Sequence, residues 1–236
     1  MKKLLLTVFA SLALSSTFAQ QTELHFALNS GLFSFHGESS NANSVINYIA
    51  DSKSGYTNNP YGTKSALSYG FSGNLKRVTK KNFILGLDFG YESLRSKVNI
   101  LGVYGTPQSP GNLLATKGST ILSADFINIF PSLGHRFHAK KIAIDLTGGF
   151  DIGINLKTQE NGKATAVDGT VFTTERDRKT INTEVRPRIQ LAANYNKMGV
   201  YAGYSYGFMN YLDGFEGGSP YCVSRLIRFG VTYKLL

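Results

Sequence analysis

The sequence is short of several residue types on which common protein classes depend. It has one cysteine, Cys222, and no tryptophan among its 236 residues. A single cysteine excludes an intramolecular disulfide framework and a cysteine-rich metal site. Proline is also scarce, with 6 residues against 25 glycines. The information about the fold therefore lies in the hydrophobic pattern and in the placement of glycine and aromatic residues.

A long hydrophobic run is missing from most of the chain. The N-terminus reads MKKLLLTVFASLALSSTFAQQ, with a basic start, a short apolar stretch and small residues around Ala19. This order is typical of a secretory signal peptide, which we predict to cover residues 1–19 with cleavage after Ala19. No later run approaches the roughly 18 apolar residues that a membrane helix needs. We therefore expect an exported chain in which residues 20–236 form one domain.

Alternation of apolar and polar residues is the dominant pattern. Residues 142–156, IAIDLTGGFDIGINL, place Ile, Leu and Phe at most even positions and Asp, Thr, Gly and Asn at the odd ones. A period of two predicts a β-strand with one apolar face. Eight segments follow this pattern, and the predicted strands are 23–35, 66–75, 82–92, 119–137, 142–156, 181–195, 199–209 and 223–235.

The connections between these strands alternate in length. The long ones cover 36–65, 97–118, 157–179 and 210–222, and the short ones cover 76–81, 138–141 and 196–198. This alternation predicts an antiparallel up-and-down meander with its long loops at one end and its tight turns at the other. Within the first long loop, the spacing of Val45, Tyr48 and Ile49 predicts one or two helical turns over 44–51.

The sizes of the side chains indicate which face is inside. The apolar face carries Leu, Ile, Phe and Tyr, whereas the other face carries glycine, small polar residues and charges. An eight-stranded barrel has an interior that side chains just fill, so the bulky face must lie outside. Strands of about ten residues also match a tilted bilayer span. Since an open sheet edge in hydrocarbon leaves unpaired amides, the sheet must close. The sequence predicts an all-β, eight-stranded antiparallel up-and-down transmembrane β-barrel in a bacterial outer membrane.

Charged residues on the small-residue face are predicted to form a structural network in the lumen. Buried charges must be paired. Asp151 and Arg186 are expected at similar height, and Arg136 is expected diagonal to Asp145. We predict an ion-paired plug and no wide channel, while a narrow pore for small solutes is the alternative. The network comprises Asp88, Glu92, Arg136, Asp145, Asp151, Glu184, Arg186, Arg188 and Arg228.

The formal net charge is +10, and many of the basic residues fall in the predicted short turns. The short turns are assigned Lys76, Arg77, Lys80, Lys81, Lys140, Lys141 and Lys197. At the periplasmic surface these residues either meet anionic phospholipid headgroups or are merely solvated, and a nucleic-acid partner is not expected. Four aromatic residues at the same strand ends predict an interfacial girdle, and they are Phe83, Phe137, Tyr195 and Tyr233.

These features resemble a known family. Eight alternating strands, short turns, long outer loops and the final strand RLIRFGVTYKLL resemble the OmpA/OmpX-type small outer-membrane β-barrels, or porin-family domain, over residues 21–236. The resemblance implies a monomer surrounded by membrane lipids and lipopolysaccharide. It also implies that the barrel-assembly machinery recognises the last strand through its alternating apolar residues, which here are Ile227, Phe229, Val231, Tyr233 and Leu235.

No catalytic residue, metal site or cofactor is predicted. Paired carboxylates can serve acid–base catalysis, but a sealed lumen admits no substrate. A lipid A-modifying enzyme is a less favoured alternative, because it needs a nucleophile and base near the outer leaflet. There only His36 stands beside Ser34 and Glu38. The predicted role is structural, or interaction with an unknown surface ligand through the long loops.

Overall fold

A computed structural model describes residues 19–49, 54–106, 111–214 and 220–236. The predicted signal peptide lies outside the described residues, except for Ala19, where the first strand begins. The described residues are all-β, and they include no helix long and apolar enough to cross a membrane. Their eleven strands are β1 (Ala19–His36), β2 (Asn43–Ile49), β3 (Ser54–Thr57), β4 (Lys64–Thr79), β5 (Phe83–Tyr104), β6 (Leu114–Ala139), β7 (Ile142–Ala166), β8 (Val171–Asp177), β9 (Thr183–Tyr195), β10 (Met198–Tyr206) and β11 (Val223–Lys234).

Eight of these strands pair in a closed cycle, which we call the main ring. The order is β1–β4–β5–β6–β7–β9–β10–β11 and back to β1, with every pair antiparallel. Three tight turns connect β4 to β5, β6 to β7 and β9 to β10. Each turn holds one residue at positive φ: Asn82, Lys140 and Asn196. Asparagine tolerates this left-handed conformation better than most residues, which suits two of these turns.

The side chains of the main ring alternate between its two faces over most of each strand. The outward face is apolar and exposed, as at Leu87, Leu133 and Phe150, and the inward face is buried. We call these outward residues the apolar belt. A water-soluble fold would bury such residues, so the belt defines the chemistry that surrounds the ring.

Three strands of the main ring continue upward into a second closed cycle, which we call the upper ring. The upper parts of β5, β6 and β7 are joined there by β8, β3 and β2. The cycle closes through a single bridge between Gly55 and Thr174. Its core is a compact apolar cluster of Ile46, Val98, Ile100, Val103, Ala164, Ala166 and Phe172.

Two sequence predictions about the loops are wrong. The described part of 44–51 does not form helical turns, because Asn43–Ile49 is strand β2, paired in parallel with β5. Two of the long loops, 97–118 and 157–179, consist largely of strand, since β5 and β7 run on to Tyr104 and Ala166. The outward residues of these extensions are mostly polar, as at Lys97 and Asn99, although Leu101 and Tyr104 are also exposed. A mostly polar outward face beside apolar inward residues resembles a loop in sequence.

Candidate functional site

The interior of the main ring contains the first candidate site, an upper ion cluster. Oδ2 of Asp151 accepts hydrogen bonds from Nη2 of Arg228 at 2.9 Å and Nε of Arg186 at 3.2 Å. Glu92 accepts from Nη2 of Arg228 at 2.6 Å, and Glu184 accepts from Nη1 of Arg186 at 3.1 Å. Carboxylates and guanidinium groups thus alternate across the lumen. The cluster comprises Asp88, Glu92, Asp151, Glu184, Arg186, Arg188 and Arg228, all of them buried.

Arg188 is the most weakly paired cation of the upper ion cluster. Its guanidinium lies 3.7 Å from Asp88 and stacks 4.1 Å above the ring centroid of Phe130. Nε of Arg188 and Oδ1 of Asp151 are buried without a hydrogen-bond partner among the described residues. Both residues line a cavity of about 10 Å³, which is roughly the room that one water molecule needs.

A lower ion cluster lies nearer the tight turns. Arg136 donates to Glu23 at 2.9 and 2.8 Å and to Asp145 at 2.6 and 3.0 Å. Nζ of Lys76 lies 3.0 Å from Asp145, and Nζ of Lys234 lies 2.9 Å from Glu23. The two clusters together hold six carboxylates and six lysine or arginine cations, so the interior is formally neutral.

The nine residues predicted for the lumen are all buried on the inward face, and the structure joins them in these two clusters. Asp151 pairs directly with Arg186 in the β7–β9 register, and Arg136 sits directly opposite Asp145 rather than diagonal to it. The assignment of Lys76 and Arg77 to a short turn is wrong. Strand β4 runs to Thr79, so both residues lie in a strand, and Lys76 is buried on the inward face.

Sequence reasoning missed Glu23 as a member of the lower ion cluster. Its position has the same parity as His25 and Ala27, which are both buried on the inward face. The predicted strand 23–35 already begins at Glu23, so starting its inward face at this residue and not at His25 would have found it. Glu23 then supplies the second carboxylate that Arg136 needs.

An apolar layer, which we call the apolar cap, covers the ion clusters on the side of the upper ring. The rings of Phe33 and Phe35 meet edge to face with centroids 5.0 Å apart, and Tyr211 packs on Phe35 at 4.8 Å. The described residues of the cap are Phe33, Phe35, Tyr61, Leu94, Leu122, Ala124, Phe126, Tyr211, Cys222 and Leu226. Burial raises the pKa of the Cys222 thiol to about 12.

An open cleft of about 1000 Å³ lies above the apolar cap, between residues 58–61, 176–182 and 211–214. Tyr61 and Tyr211 form its floor, and the exposed side chains of Arg176 and Lys179 stand at its wall. The hydroxyl of Tyr211 donates to Glu184 at 2.5 Å, which ties the floor to the upper ion cluster. Burial raises the pKa of Tyr211 well above its usual range.

The aromatic residues predicted for the girdle lie at the strand ends near the tight turns. Phe83, Phe137, Tyr195 and Tyr233 are all exposed on the outward face. The ring of His135 contacts Phe83 at 5.6 Å and Phe137 at 4.8 Å between centroids.

The Ser34 and His36 pair does not make a catalytic arrangement. Ser34 is buried while His36 is exposed. Among the described residues, no hydrogen bond or ion pair is found between His36 and Ser34 or Glu38.

Comparison with known proteins gives similarity of structure only. No family model matches the chain, and no curated protein matches it. The fold is similar to Ail, the attachment invasion locus protein of Yersinia pestis, solved with the heparin analogue sucrose octasulfate. The identity is 8%, 91% of this chain and 97% of that chain are covered, and the TM-score is 0.34.

Two further structures are similar over most of their length. Neisserial surface protein A shows 10% identity over 92% of this chain and 100% of that chain, with a TM-score of 0.40. A deletion mutant of the monoaromatic hydrocarbon channel TodX shows 10% identity over 90% of each chain, with a TM-score of 0.24. These neighbours are outer-membrane β-barrel proteins, the type that the sequence resembles. Because all three TM-scores are below 0.5, the similarity carries no further argument about this chain. Identities this low concern the fold alone.

Proposed function

We propose that this chain is an eight-stranded β-barrel of the bacterial outer membrane, with the main ring in the bilayer and the upper ring outside the cell. The single observation that carries the proposal is the apolar belt. Large apolar side chains cover the outside of the main ring while twelve charged groups lie inside it. Hydrocarbon is the surrounding in which this arrangement is stable, because a closed sheet satisfies its own backbone groups there.

The ion clusters and the apolar cap support a structural or surface-interaction role rather than transport. Among the described residues, the two ion clusters and the apolar cap fill much of the lumen with paired charges and packed rings, and two cavities beside the upper ion cluster measure only about 10 Å³ each. The proposed plug therefore consists of the nine predicted lumen residues together with Glu23, Lys76 and Lys234. In this proposal the barrel is a monomer surrounded by membrane lipids and lipopolysaccharide, and the assembly machinery recognises β11.

Three measurements test the barrel and its plug. The folded protein should migrate differently from the boiled protein on a denaturing gel and should fractionate with outer membranes. In planar bilayers we expect no conductance above the baseline. Discrete small steps would favour the narrow pore, and a large stable conductance would contradict the plug. Loss of the mobility difference in a correctly inserted sample would contradict the barrel.

The orientation is tested with cysteines in a Cys222→Ser background. Lys179→Cys, at the wall of the cleft, should react with a membrane-impermeant maleimide on intact cells. Lys81→Cys, in the tight turn before β5, is the matched control and should react only after the outer membrane is disrupted. The opposite pattern would invert the proposed orientation. The cleft would then not be available to a surface ligand.

A further inference from the structure

The apolar belt has a concave region that is centred on a glycine. Gly148 of β7 faces outward between two large exposed neighbours, Leu133 on β6 and Ile189 on β9. A Cβ placed on Gly148 would meet only the carbonyl oxygen of Arg188, at 3.8 Å. The backbone conformation therefore does not require glycine at this position. The missing side chain leaves a notch in the wall.

The notch is the midpoint of a longer depression, which we call the wall trough. Two hollows of about 680 and 860 Å³ adjoin there and share Leu85, Leu133, Gly148 and Ile189. The lower hollow begins at Phe83 and His135, and the upper one reaches Phe150 and Tyr206. The trough therefore follows the strand direction from the tight turns into the belt, as a chain of hydrocarbon would.

The strand pairing is interrupted beneath the upper part of the trough. The β6–β7 register passes from Ile129 and Ile152 directly to Ser132 and Gly149. Pro131 lies within the interruption and has no N–H to donate. The pairing is thus incomplete where Pro131 and Gly149 line the upper hollow, and an apolar occupant would add contacts that the outward face lacks there.

The tight turns on the side of the trough's lower end carry two pairs of cations. Lys80 and Lys81 occupy the turn before β5, and Lys140 and Lys141 occupy the turn before β7, all four exposed. The ring of His135 lies at this end, and its Nδ1 is buried without a partner among the described residues. A lysine near an anionic membrane surface contributes roughly a fivefold gain in affinity. Anionic charge is therefore favoured where the apolar trough opens.

From this juxtaposition we propose that the wall trough binds one anionic phospholipid of the periplasmic leaflet. One acyl chain lies along the trough over Gly148, and the headgroup phosphate lies between the two lysine pairs. The site rests on the proposed function, since it needs the belt to face hydrocarbon. A second copy of the chain fits less well, because the four lysines would face each other or apolar surface.

The absence of tryptophan from the sequence makes a direct test possible. Leu133→Trp places a reporter in the trough, and Leu75→Trp is the matched control on the belt outside it. Each variant is reconstituted in phosphatidylcholine vesicles with a small fraction of phosphatidylglycerol brominated on its acyl chains. Bromine quenches tryptophan on contact. We expect at least about twofold stronger quenching at 133 than at 75. Equal quenching would overturn the site.

Two further variants and one control separate the acyl-chain contact from the headgroup contact. In the Leu133→Trp background, Gly148→Leu fills the notch and should abolish the excess quenching. Gly73→Leu, whose Cβ meets nothing within 4 Å, is the control and should leave it unchanged. Replacing the four lysines by glutamine should also abolish the excess without altering the wall. Excess quenching that persists in the lysine variant, or that is equal with brominated phosphatidylcholine, would overturn the headgroup contact.

The same vesicles distinguish failure of the site from failure of the proposed function. When all the lipid is brominated, both reporters must be quenched if the belt lies in hydrocarbon. No quenching there would contradict membrane insertion itself. Cross-linked dimers that disappear in Gly148→Leu would identify a second copy as the occupant and would overturn the lipid site.

Discussion

The main ring and the upper ring share three strands, yet the polarity of their inward and outward faces is reversed. In the main ring, β5 directs Leu85 and Leu87 outward and Asp88 inward. Further along the same strand, Lys97 and Asn99 face outward while Val98 and Ile100 are buried. The geometry of the strand is unchanged, and only the chemistry of its two faces is exchanged.

The exchange teaches that the solvent around each part decides which face is polar. A sheet alternates its side chains whatever surrounds it. In hydrocarbon the outward face must be apolar, and the narrow lumen is left to paired charges. In water the outward face is polar and the interior is a dry core. On β5, the position between Tyr91 and Arg95 therefore marks the expected membrane surface.

The largest expected effect concerns the charged interior. Asp151→Ala removes the carboxylate that both Arg186 and Arg228 contact, and it should lower the free energy of unfolding by about 3–5 kcal/mol. Asp177→Ala is the matched control. Asp177 pairs with Lys157 at 3.3 Å on the exposed surface, so its loss should cost about 1 kcal/mol or less. Urea titration in vesicles measures both, and equal effects would contradict the paired lumen.

The next effect concerns the apolar interior of the upper ring. Phe172 is buried and meets Tyr48 edge to face at 5.3 Å. Phe172→Ala should destabilise the upper ring by about 3 kcal/mol, whereas Val171→Ala, at an exposed neighbouring position, should change it by less than about 0.5 kcal/mol. Limited proteolysis should cut the Phe172→Ala variant within β8 while the main ring stays intact. Simultaneous loss of both rings would show that they unfold as one unit.

A smaller effect tests where the membrane surface crosses strand β5. Leu87 and Leu101 both lie on β5 and are both exposed, at 46% and 54%. Leu87→Lys puts a charge into hydrocarbon and should cost about 2 kcal/mol. Leu101→Lys faces water and should change the free energy of unfolding by less than about 0.5 kcal/mol. Similar costs at both positions would place the membrane surface elsewhere.

Much of the main ring was predictable because hydrocarbon imposes a strict rule on the outward face. The alternation in residues 142–156 and in the other seven segments follows from that rule alone. The upper ring was not predictable in the same way. Its outward residues are the lysines, serines and asparagines that also fill loops, and a register irregularity between Asp125 and Phe126 shifts the alternation in β7.

The ion clusters were predictable as a set but not as pairs. The parity of each strand places Glu92 and Arg228 in the lumen, yet they contact each other from β5 and β11, which are not neighbours in the main ring. Such contacts depend on how far each strand is shifted along the next one, and alternation carries no information about that shift.

The helix prediction for 44–51 failed because it relied on the spacing of Val45, Tyr48 and Ile49. The β-branched residues of this segment favour a strand, and Ile46 is the one whose side chain enters the core of the upper ring.

The smallest expected effect concerns the apolar cap that separates the two interiors. Cys222 is fully buried there, and its pKa is raised to about 12, so at pH 8 it carries almost no reactive thiolate. The folded state holds the thiol proton more tightly than the unfolded state does. The stabilisation that this gives is present below the ordinary thiol pKa, and it is lost as the pH rises through the raised pKa of the folded protein. The folded protein should react with an aromatic disulfide reagent far more slowly than the urea-unfolded protein. Lys179→Cys in a Cys222→Ser background is the control and should react at the rate of a free thiol. Rapid reaction of Cys222 in the folded protein would mean that the cap opens, and the interiors of the two rings would then communicate.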